Sequence, residues 1–287
     1  MTRLRLPPWL KVAVPAEGPF METARVLRDL RLNTVCRKAH CPNVAKCWAA
    51  GTATIMILGD QCTRACRFCA VGTNSSPPPP APDEPARVAE AVRRLGLRYA
   101  VITSVTRDDL TDGGADHFAA VVHACREAAP DTRIELLIPD LGGDEAALDV
   151  VADAGPDVVG HNLETVRRLS KAIRDPKTDY DLSLRVLEYM GSRGLEIKSA
   201  LLLGLGERPE EVDTALSDLR GVGVRHVALG QYLAPSREHV PVEEYVTPEA
   251  FDTWGERCRE LGFVSVASGP LVRSSYMAAE IVGPTLT

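Results

Sequence analysis

The sequence lacks a long apolar run, a secretory leader and an excess of positive charge. No stretch approaches the roughly 20 apolar residues that a membrane-spanning helix needs. The first residues, M-T-R-L-R-L-P-P-W-L-K-V, do not form the apolar segment of a secretory signal. The net charge of −6 gives no electrostatic support for a nucleic-acid partner. We therefore expect a cytoplasmic protein that binds neither membranes nor nucleic acids.

The chain of 287 residues is long enough for one large domain or two small ones. Runs rich in Val, Ile and Leu alternate with helical patterns, as expected of strands that are buried on both faces. The predicted strands are 54–58, 99–103, 133–138, 157–161, 196–203 and 225–230. The predicted helices are 85–95, 115–128, 144–154, 181–192, 209–220 and 248–261. Six successive βα units predict a parallel sheet, either an open barrel or a doubly wound sheet.

Six of the eight cysteines form two triplets between residues 36 and 69. Clustered cysteines in a reducing cytosol favour metal binding over disulfides. Three thiolates in each triplet indicate two soft-metal sites, each with one position left for another ligand. The first triplet is Cys36, Cys41 and Cys47 in C-R-K-A-H-C-P-N-V-A-K-C, and the second is Cys62, Cys66 and Cys69 in C-T-R-A-C-R-F-C.

The second triplet follows the first predicted strand, at the edge where α/β barrels place their active sites. Its C-x3-C-x2-C spacing does not match the paired motifs of structural zinc sites. Iron–sulfur cubanes ordinarily use four cysteines, so three leave one iron open. With Phe68 as the aromatic residue, C-x3-C-x-aromatic-C resembles the signature of radical S-adenosylmethionine (SAM) enzymes. The resemblance implies a 4Fe–4S cluster whose open iron is chelated by SAM, a 5′-deoxyadenosyl radical, and a full or partial barrel.

Further stretches extend the resemblance from about residue 8 to residue 278. They are G-T-A-T-I-M-I-L-G-D, V-I-T-S-V-T-R-D-D-L-T-D-G-G-A, L-G-Q-Y-L-A-P-S and R-S-S-Y. With the first triplet, they resemble the lipoyl synthase family. The resemblance implies that the first triplet holds an auxiliary 4Fe–4S cluster whose fourth ligand is Ser275, with Arg273 stabilising it electrostatically. Without the cysteines, R-S-S-Y would be interpreted as an ordinary polar turn.

This resemblance implies a partial (β/α)6 TIM-type barrel with an extension at each end. Residues 1–53 would carry the auxiliary-cluster cysteines, and residues 54–267 would form the radical SAM barrel. Residues 268–287 would close the auxiliary cluster through R-S-S-Y. A serine ligand is unusual for iron, and its bond should be lost more easily than that of a thiolate.

Polar residues at the ends of predicted strands are candidates for binding SAM. Asn162 and Glu164 lie in G-H-N-L-E-T-V, which resembles the cofactor-contacting segment of the family, although Asn162 could instead cap a helix. Thr103 and Ser104 end the second strand at the same edge. The glycines of L-L-L-G-L-G-E would line the adenine side or make a backbone turn.

Arg174 and Lys198 are basic candidates that could meet a carboxylate or a thioester-like oxygen of a ligand. Because lone basic residues are usually solvated, a surface position is the alternative. Asp108, Asp109 and Asp112 form an acidic loop that could anchor the edge of the site.

Basic residues cluster among the cysteines, and no acidic residue lies between Cys36 and Cys47. They form either a solvated face or a docking patch for an acidic partner. The members are Arg37, Lys38, Lys46, Arg64 and Arg67. Cys125 and Cys258 lie in helical patterns without a nearby cysteine, which predicts buried structural thiols.

The resemblance implies an enzyme that inserts sulfur at carbon six and carbon eight of an octanoyl chain on a protein lysine. The auxiliary cluster would donate the sulfur. Implied partners are lipoyl carrier domains or the glycine-cleavage H protein, a flavodoxin- or ferredoxin-type electron donor, and an iron–sulfur carrier that rebuilds the cluster. The alternatives are a biotin-synthase-like sulfur insertase and a non-catalytic zinc-binding interaction module.

Overall fold

A computed structural model describes residues 4–12, 19–39, 41–49, 53–276 and 278. The chain divides into two compact units. The N-terminal unit comprises Ala13–Arg64 and Ala70–Val159. The C-terminal unit comprises Met1–Val12, Ala65–Cys69 and Gly160–Thr287. In sequence, Cys62 belongs to the N-terminal unit, and Cys66 and Cys69 belong to the C-terminal unit.

The N-terminal unit places helices between mostly parallel strands. Strand β2 pairs in parallel with β5, and β5 pairs in parallel with β6, whereas the short β1 runs antiparallel to β2. All four residues of β2 are buried, as expected of a strand covered on both faces. The elements are α1 (Pro19–Asp29), β1 (Asn33–Thr34), α2 (Val35–Lys38), α3 (Val44–Ala49), β2 (Thr54–Ile57), β3 (Gln61–Cys62), β4 (Gly72–Thr73), α4 (Glu84–Arg94), β5 (Tyr99–Ser104), α5 (Ala115–Ala128), β6 (Arg133–Leu137), a 3-10 turn (Leu141–Gly143), α6 (Glu145–Asp153) and β7 (Val158–Gly160).

The C-terminal unit continues the same pattern. Strand β8 pairs in parallel with β9, and β9 pairs in parallel with β10. Pro209 and Pro248 open their helices, where the missing N–H of proline costs no hydrogen bond. The elements are a 3-10 turn (Pro8–Leu10), α7 (Arg167–Ile173), α8 (Tyr180–Ser192), β8 (Glu196–Leu203), α9 (Pro209–Gly221), β9 (His226–Gln231), α10 (Pro248–Glu260) and β10 (Ser265–Gly269).

The predicted fold class is confirmed, because the chain is α/β with a mostly parallel sheet, as in a partial TIM-type barrel. All six predicted strands and all six predicted helices are present, with ends that differ by at most one residue. Prediction missed α1, α2, α3 and α7, together with β1, β3, β4 and β10. No helix in the described ranges is long and apolar enough to cross a membrane.

Candidate active site

The first triplet lies on two short helices of the N-terminal unit. Cys36 is buried in α2, and the N–H of Cys41 donates to the carbonyl of Cys36 at 3.1 Å. Cys47 lies in α3, where its N–H donates to the carbonyl of Asn43 at 2.9 Å. His40, within the same motif, is outside the described residues. None of the three cysteines forms a disulfide within the described residues, so this segment presents three candidate ligands.

A salt bridge links this segment to the residues just before Cys62. Lys38 Nζ lies 2.6 Å from Asp60 Oδ2, and the two side chains are 38% and 45% exposed. An ion pair this exposed contributes little stability. The salt bridge instead holds α2, which carries Cys36, next to Asp60, two residues before Cys62.

Cys62 follows a turn that is fixed by buried side chains. Leu58 has a positive φ of 66°, its N–H donates to a Glu84 carboxylate oxygen at 2.8 Å, and its carbonyl accepts from Arg107 at 3.2 Å. Two backbone N–H groups, those of Arg64 and Thr106, then donate to Cys62 Sγ at 3.4 and 3.3 Å. Hydrogen bonds to sulfur favour the thiolate and tune a bound cluster.

Arg64 is buried beside Cys62, so the prediction that it belongs to an exposed basic patch is wrong. Its guanidinium contacts two carboxylates, with Nη2 lying 2.8 Å from Asp108 Oδ1 and 2.7 Å from Asp140 Oδ1. Burial alone would lower the pKa of Arg64, but the hydrogen bonds to Asp140 and Asp108 raise it above its ordinary value. Arg64 therefore links the segment after Cys62 to the connections that follow β5 and β6. Asp108 thus holds the Arg64 side chain in place, and its role at the edge of a site stays a prediction.

The other two cysteines of the second triplet are held within the C-terminal unit. The N–H of Asp175 donates to Cys66 Sγ at 3.3 Å, and the N–H of Cys69 donates to the carbonyl of Cys66 at 3.0 Å. Phe68, the motif aromatic, packs against a buried cluster. That cluster consists of Ile173, Leu205, Tyr232 and Val240. The aromatic position therefore anchors the motif in the core.

Thr103 and Ser104 end β5 but differ in their hydrogen bonds. The Thr103 hydroxyl donates to the carbonyl of Leu137 at 2.8 Å, so the sheet already satisfies it. The buried Ser104 hydroxyl oxygen has no hydrogen-bond partner among the described residues. A buried polar atom without a partner is costly and points to a missing ligand. Ser104 is therefore the better candidate for a cofactor contact.

Asn162 and Glu164 lie on an irregular segment after β7. Glu164 has a positive φ of 67°, and its backbone forms a bridge with Leu201 of β8. Asn162 Nδ2 donates to Glu164 Oε1 at 3.1 Å. The alternative that Asn162 caps a helix is wrong, because α7 begins at Arg167 with Val166 as its N-cap. The segment instead presents a polar pair beside β8.

The charge on Glu164 is only partly compensated. Loss of hydration raises its pKa above the ordinary value, while Arg174 and Asn162 pull in the opposite direction. Arg174 is buried and its Nη1 donates to Ser183 Oγ at 3.0 Å. Lys198 of β8 is also buried. The alternative that these two basic residues are solvated is therefore wrong.

The glycine-rich stretch after β8 makes a backbone turn. Gly204 and Gly206 have φ values of 94° and 97°. A Cβ on Gly204 would collide with the Gln231 amide and the Glu244 carbonyl. The turn interpretation is therefore confirmed.

Arg273 and Ser275 lie in turns after β10. Arg273 Nη1 donates to the carbonyl of Val272 at 2.6 Å, and the N–H of Tyr276 donates to the carbonyl of Arg273 at 2.9 Å. Val272 packs with Ala200 of β8 and Ala228 of β9, and Tyr276 packs against the same cluster. R-S-S-Y is thus fastened to the strands of its own unit, with Ser275 half-buried.

Sequence reasoning missed Asp175, the hydrogen bond from the N–H of Leu58 to Glu84, and the role of Arg64. A lone aspartate in R-D-P gives no pattern, and Glu84 directly precedes the predicted helix 85–95, outside the cysteine motif. Arg64 lies within the cysteine motif, which was the available signal. The chemistry of the described residues suits an iron–sulfur group and an organic cofactor. They provide six cysteines outside disulfides, N–H groups directed at two of the sulfurs, and the buried Ser104 hydroxyl without a hydrogen-bond partner among the described residues.

Comparisons with known proteins agree with this chemistry. Residues 56–219 match the Radical SAM superfamily, and residues 1–41 match the N-terminal domain of lipoyl synthase. Lipoyl synthase from Anaeromyxobacter sp. (strain Fw109-5) is 52% identical, covering 96% of this chain and 95% of the relative. The Deinococcus radiodurans lipoyl synthase is 49% identical, covering 98% and 85%. Mitochondrial lipoyl synthase from Branchiostoma floridae is 50% identical, covering 97% and 76%.

Solved structures show the same fold at low sequence identity. Coproporphyrinogen III oxidase from Escherichia coli, a radical SAM enzyme, has a TM-score of 0.54 at 12% identity, covering 78% of this chain and 56% of that one. Methylornithine synthase has a TM-score of 0.53 at 15% identity, covering 80% and 64%. Two family models and relatives about half identical over nearly the full length lead to one conclusion: the chain belongs to the lipoyl synthase family of radical SAM enzymes.

Proposed function

We propose that the protein inserts two sulfur atoms, at carbon six and carbon eight, into an octanoyl chain attached to a protein lysine. The product is lipoyl-lysine. One observation carries the proposal: a chain about half identical to lipoyl synthases contains both free-cysteine triplets and R-S-S-Y. As a lipoyl synthase, the enzyme uses SAM and 4Fe–4S clusters and acts on lipoyl carrier proteins.

In this proposal each cysteine triplet holds one cluster. Cys62, Cys66 and Cys69 would hold the SAM-binding cluster, while Cys36, Cys41, Cys47 and Ser275 would hold the auxiliary cluster. When bound, these groups supply the radical that removes hydrogen from an unactivated carbon and the sulfur that replaces it. The chain orients the sulfurs of Cys62 and Cys66 through hydrogen bonds from backbone N–H groups.

The remaining assignments concern SAM. Ser104 has an unpaired hydroxyl that could donate to or accept from the cofactor. Glu164 can accept hydrogen bonds from ribose hydroxyls or from an ammonium group, and Asn162 orients its carboxylate. Arg174 balances that carboxylate electrostatically. Lys198 and Thr103 are weaker candidates, and Arg273 would act on the auxiliary cluster.

The finer partner assignments are also proposals. A carrier domain of a lipoylated enzyme or the glycine-cleavage H protein would present the octanoyl-lysine. A flavodoxin- or ferredoxin-type protein would supply electrons, and an iron–sulfur carrier would rebuild the auxiliary cluster. Exposed Arg37, Lys46 and Arg67 are the members of the basic cluster that could contact an acidic carrier. We propose a cytoplasmic location, although relatives include mitochondrial and chloroplastic proteins.

The double substitution Cys36→Ala with Cys41→Ala tests the division of labour. We expect this variant to cleave SAM but to form no lipoyl product, because its second triplet is intact. The control is Cys125→Ala with Cys258→Ala, which removes two thiols outside the triplets and should keep both activities. Normal lipoyl formation by the first variant would overturn the assignment of the sulfur donor.

A further inference from the structure

The segment Ala65–Cys69 is fastened to the C-terminal end of α7. The N–H of Arg67 donates to the carbonyl of Ile173 at 2.8 Å, and Arg67 Nη1 donates to the carbonyl of Ala172 at 2.9 Å. The last carbonyls of a helix have no partner within the helix, so these bonds satisfy groups that would otherwise be open. The end of α7 therefore holds the backbone segment that carries Cys66 and Cys69.

Asp175, two residues beyond α7, contacts the sulfur of Cys66. It is buried, and its N–H donates to Cys66 Sγ at 3.3 Å. Its Oδ2 accepts from the N–H of Ala65 at 2.8 Å, and its Oδ1 accepts from the N–H of Lys177 at 2.9 Å. The carbonyl of Asp175 also accepts from the hydroxyl of Thr178 at 2.7 Å. Four hydrogen bonds thus fix Asp175 in place next to Cys66.

We propose that Asp175 is a positioning residue that fixes the sulfur of Cys66 and keeps the reduction potential of the attached cluster low. This inference rests on the proposed role of Cys66 as an iron ligand. Both carboxylate oxygens are engaged by backbone N–H groups, so the negative charge has one orientation. A fixed negative charge beside a cluster opposes the gain of an electron, because charge and hydrogen bonding set the potentials of such clusters.

The chemistry of the side chain makes aspartate hard to replace. Asparagine has the same shape but offers one acceptor oxygen, whereas two N–H donors meet the carboxylate. Asp175→Asn therefore removes the charge and one of the two bonds. Asp175→Ala removes the charge and both bonds, and it leaves the amide of Ala65 without its partner.

The test compares these two variants with the full-length wild-type enzyme after anaerobic cluster reconstitution. In Asp175→Asn we expect nearly full iron content and a more positive midpoint potential of the SAM-binding cluster, measured by a redox titration followed by electron paramagnetic resonance. In Asp175→Ala we expect the cluster to be lost to a chelator about 10-fold faster, since removing residues that orient metal ligands typically costs 10- to 100-fold in affinity. Amide exchange measured by mass spectrometry should accelerate in peptides spanning 65–69.

Asp179→Asn is the matched control. Asp179 lies on the same connection, but its carboxylate caps α8 by accepting from the N–H of Leu182 at 2.8 Å. This variant loses a carboxylate and should leave the potential and the exchange of residues 65–69 unchanged. An unchanged potential in Asp175→Asn, or a shift of equal size in Asp179→Asn, would overturn the inference.

The Cys66→Ala variant separates this inference from the proposed function. If Cys66→Ala keeps the iron of the SAM-binding cluster, then the ligand assignment fails and the role of Asp175 fails with it. If Cys66→Ala loses that iron while both Asp175 variants behave like wild type, only the inference about Asp175 is wrong.

Discussion

Complete burial distinguishes the two isolated cysteines from the six in the triplets. Cys125 and Cys258 are fully buried in α5 and α10, and loss of hydration raises the pKa of each thiol to about 12. Because the thiolate is the reactive form, neither group should react under native conditions. The structural role that the sequence predicted for them is therefore confirmed.

Alkylation of the cluster-free protein at pH 8 tests this difference. We expect iodoacetamide to modify the half-buried Cys41, Cys47, Cys62, Cys66 and Cys69, and to leave Cys125 and Cys258 unmodified until denaturant is added. Peptide mass spectrometry gives the occupancy of each site. Rapid native labelling of Cys125 or Cys258 would show that the cores around α5 and α10 open readily.

Glu164 gives a prediction for pH dependence. Its pKa is raised in the folded protein, mainly by loss of hydration, so folding favours the protonated form. This stabilising contribution is fully present below the ordinary pKa of a glutamate and is lost as the pH rises through the folded-state pKa. Without SAM, Glu164→Gln should therefore raise the free energy of unfolding at pH 7, and the gain should shrink as the pH falls.

Glu211→Gln is the control, because the pKa of Glu211 is lowered in the folded protein whereas that of Glu164 is raised. A hydrogen bond from the side chain of Arg168 lowers the pKa of Glu211 to about 2. Replacing this half-buried carboxylate should bring no gain in stability at pH 7. Denaturant titrations at pH 7 and at about pH 5 measure both variants. A loss of stability in Glu164→Gln at pH 7 would show that Arg174 and Asn162 outweigh the loss of hydration.

Among the structural elements, the connections after β2, β5 and β6 are held together by Arg64. Its partner Asp140 has a side chain only 1% exposed, and Asp108 is 22% exposed. Removing one member of a buried ion pair leaves an uncompensated charge, which costs about 3–5 kcal/mol. We expect Arg64→Ala to lower the free energy of unfolding by about that amount, and Arg64→Lys to lower it less.

Arg93→Ala provides a comparison, because Arg93 also contacts a carboxylate, Glu90, but on an exposed helix surface. It should change stability very little. Urea unfolding of the cluster-free protein measures all three variants. Equal effects of Arg64→Ala and Arg93→Ala would mean that the contacts of Arg64 do not hold these connections together.

Strand β9 lies close to the segment after β10, where Gly230 faces the backbone of Val272. A Cβ on Gly230 would collide with the carbonyl of Val272, and Arg273 Nη1 lies 3.3 Å from that position. Gly230→Ala should therefore displace the segment that carries Ser275. We expect iron and sulfide to fall by about half after reconstitution, because one of two clusters is lost, while SAM cleavage continues.

Gly221→Ala is the control, since no atom lies within 4 Å of the Cβ it would introduce. It should retain full iron. Full iron in Gly230→Ala as well would argue against Ser275 as the fourth ligand. The comparison needs only colorimetric iron and sulfide assays on protein of known concentration.

Much of the barrel could be predicted because its strands are buried on both faces and its helices carry clear ends. Strand β8 has the bounds that its apolar run predicts. Helices α2 and α3 were missed because they have four and six residues, too few for a helical period to show. Strand β10, S-V-A-S-G, is half-buried throughout and lacks the branched apolar run that identified the others.

The sequence predicted the part of the site whose residues form a local motif. It did not predict the part that depends on contacts between residues distant in sequence. The cysteine motif identifies the family because the ligands are close in sequence. Asp175 lies 109 residues from Cys66. The buried state of Arg64 likewise depends on Asp140, 76 residues away. Such contacts leave no local pattern, so they appear only after folding.

At the scale of the whole molecule, family membership removes both alternatives to sulfur insertion into an octanoyl chain. The relatives named lipoyl synthases match the chain along nearly its entire length, which neither a zinc module nor a biotin-synthase-like enzyme would explain. The central claim is that the sulfur comes from the protein itself, through the cluster proposed at the first triplet.

A single-turnover reaction with isotopically labelled sulfur tests that claim most directly. The full-length enzyme is reconstituted with iron and heavy-isotope sulfide, freed of unbound sulfide, and mixed anaerobically with an octanoylated lysine peptide, SAM and a strong reductant. Mass spectrometry of the peptide should show two heavy sulfur atoms in the lipoyl product. Formation of lipoyl-lysine with unlabelled sulfur, or a peptide that remains octanoylated while SAM is cleaved, would contradict the account.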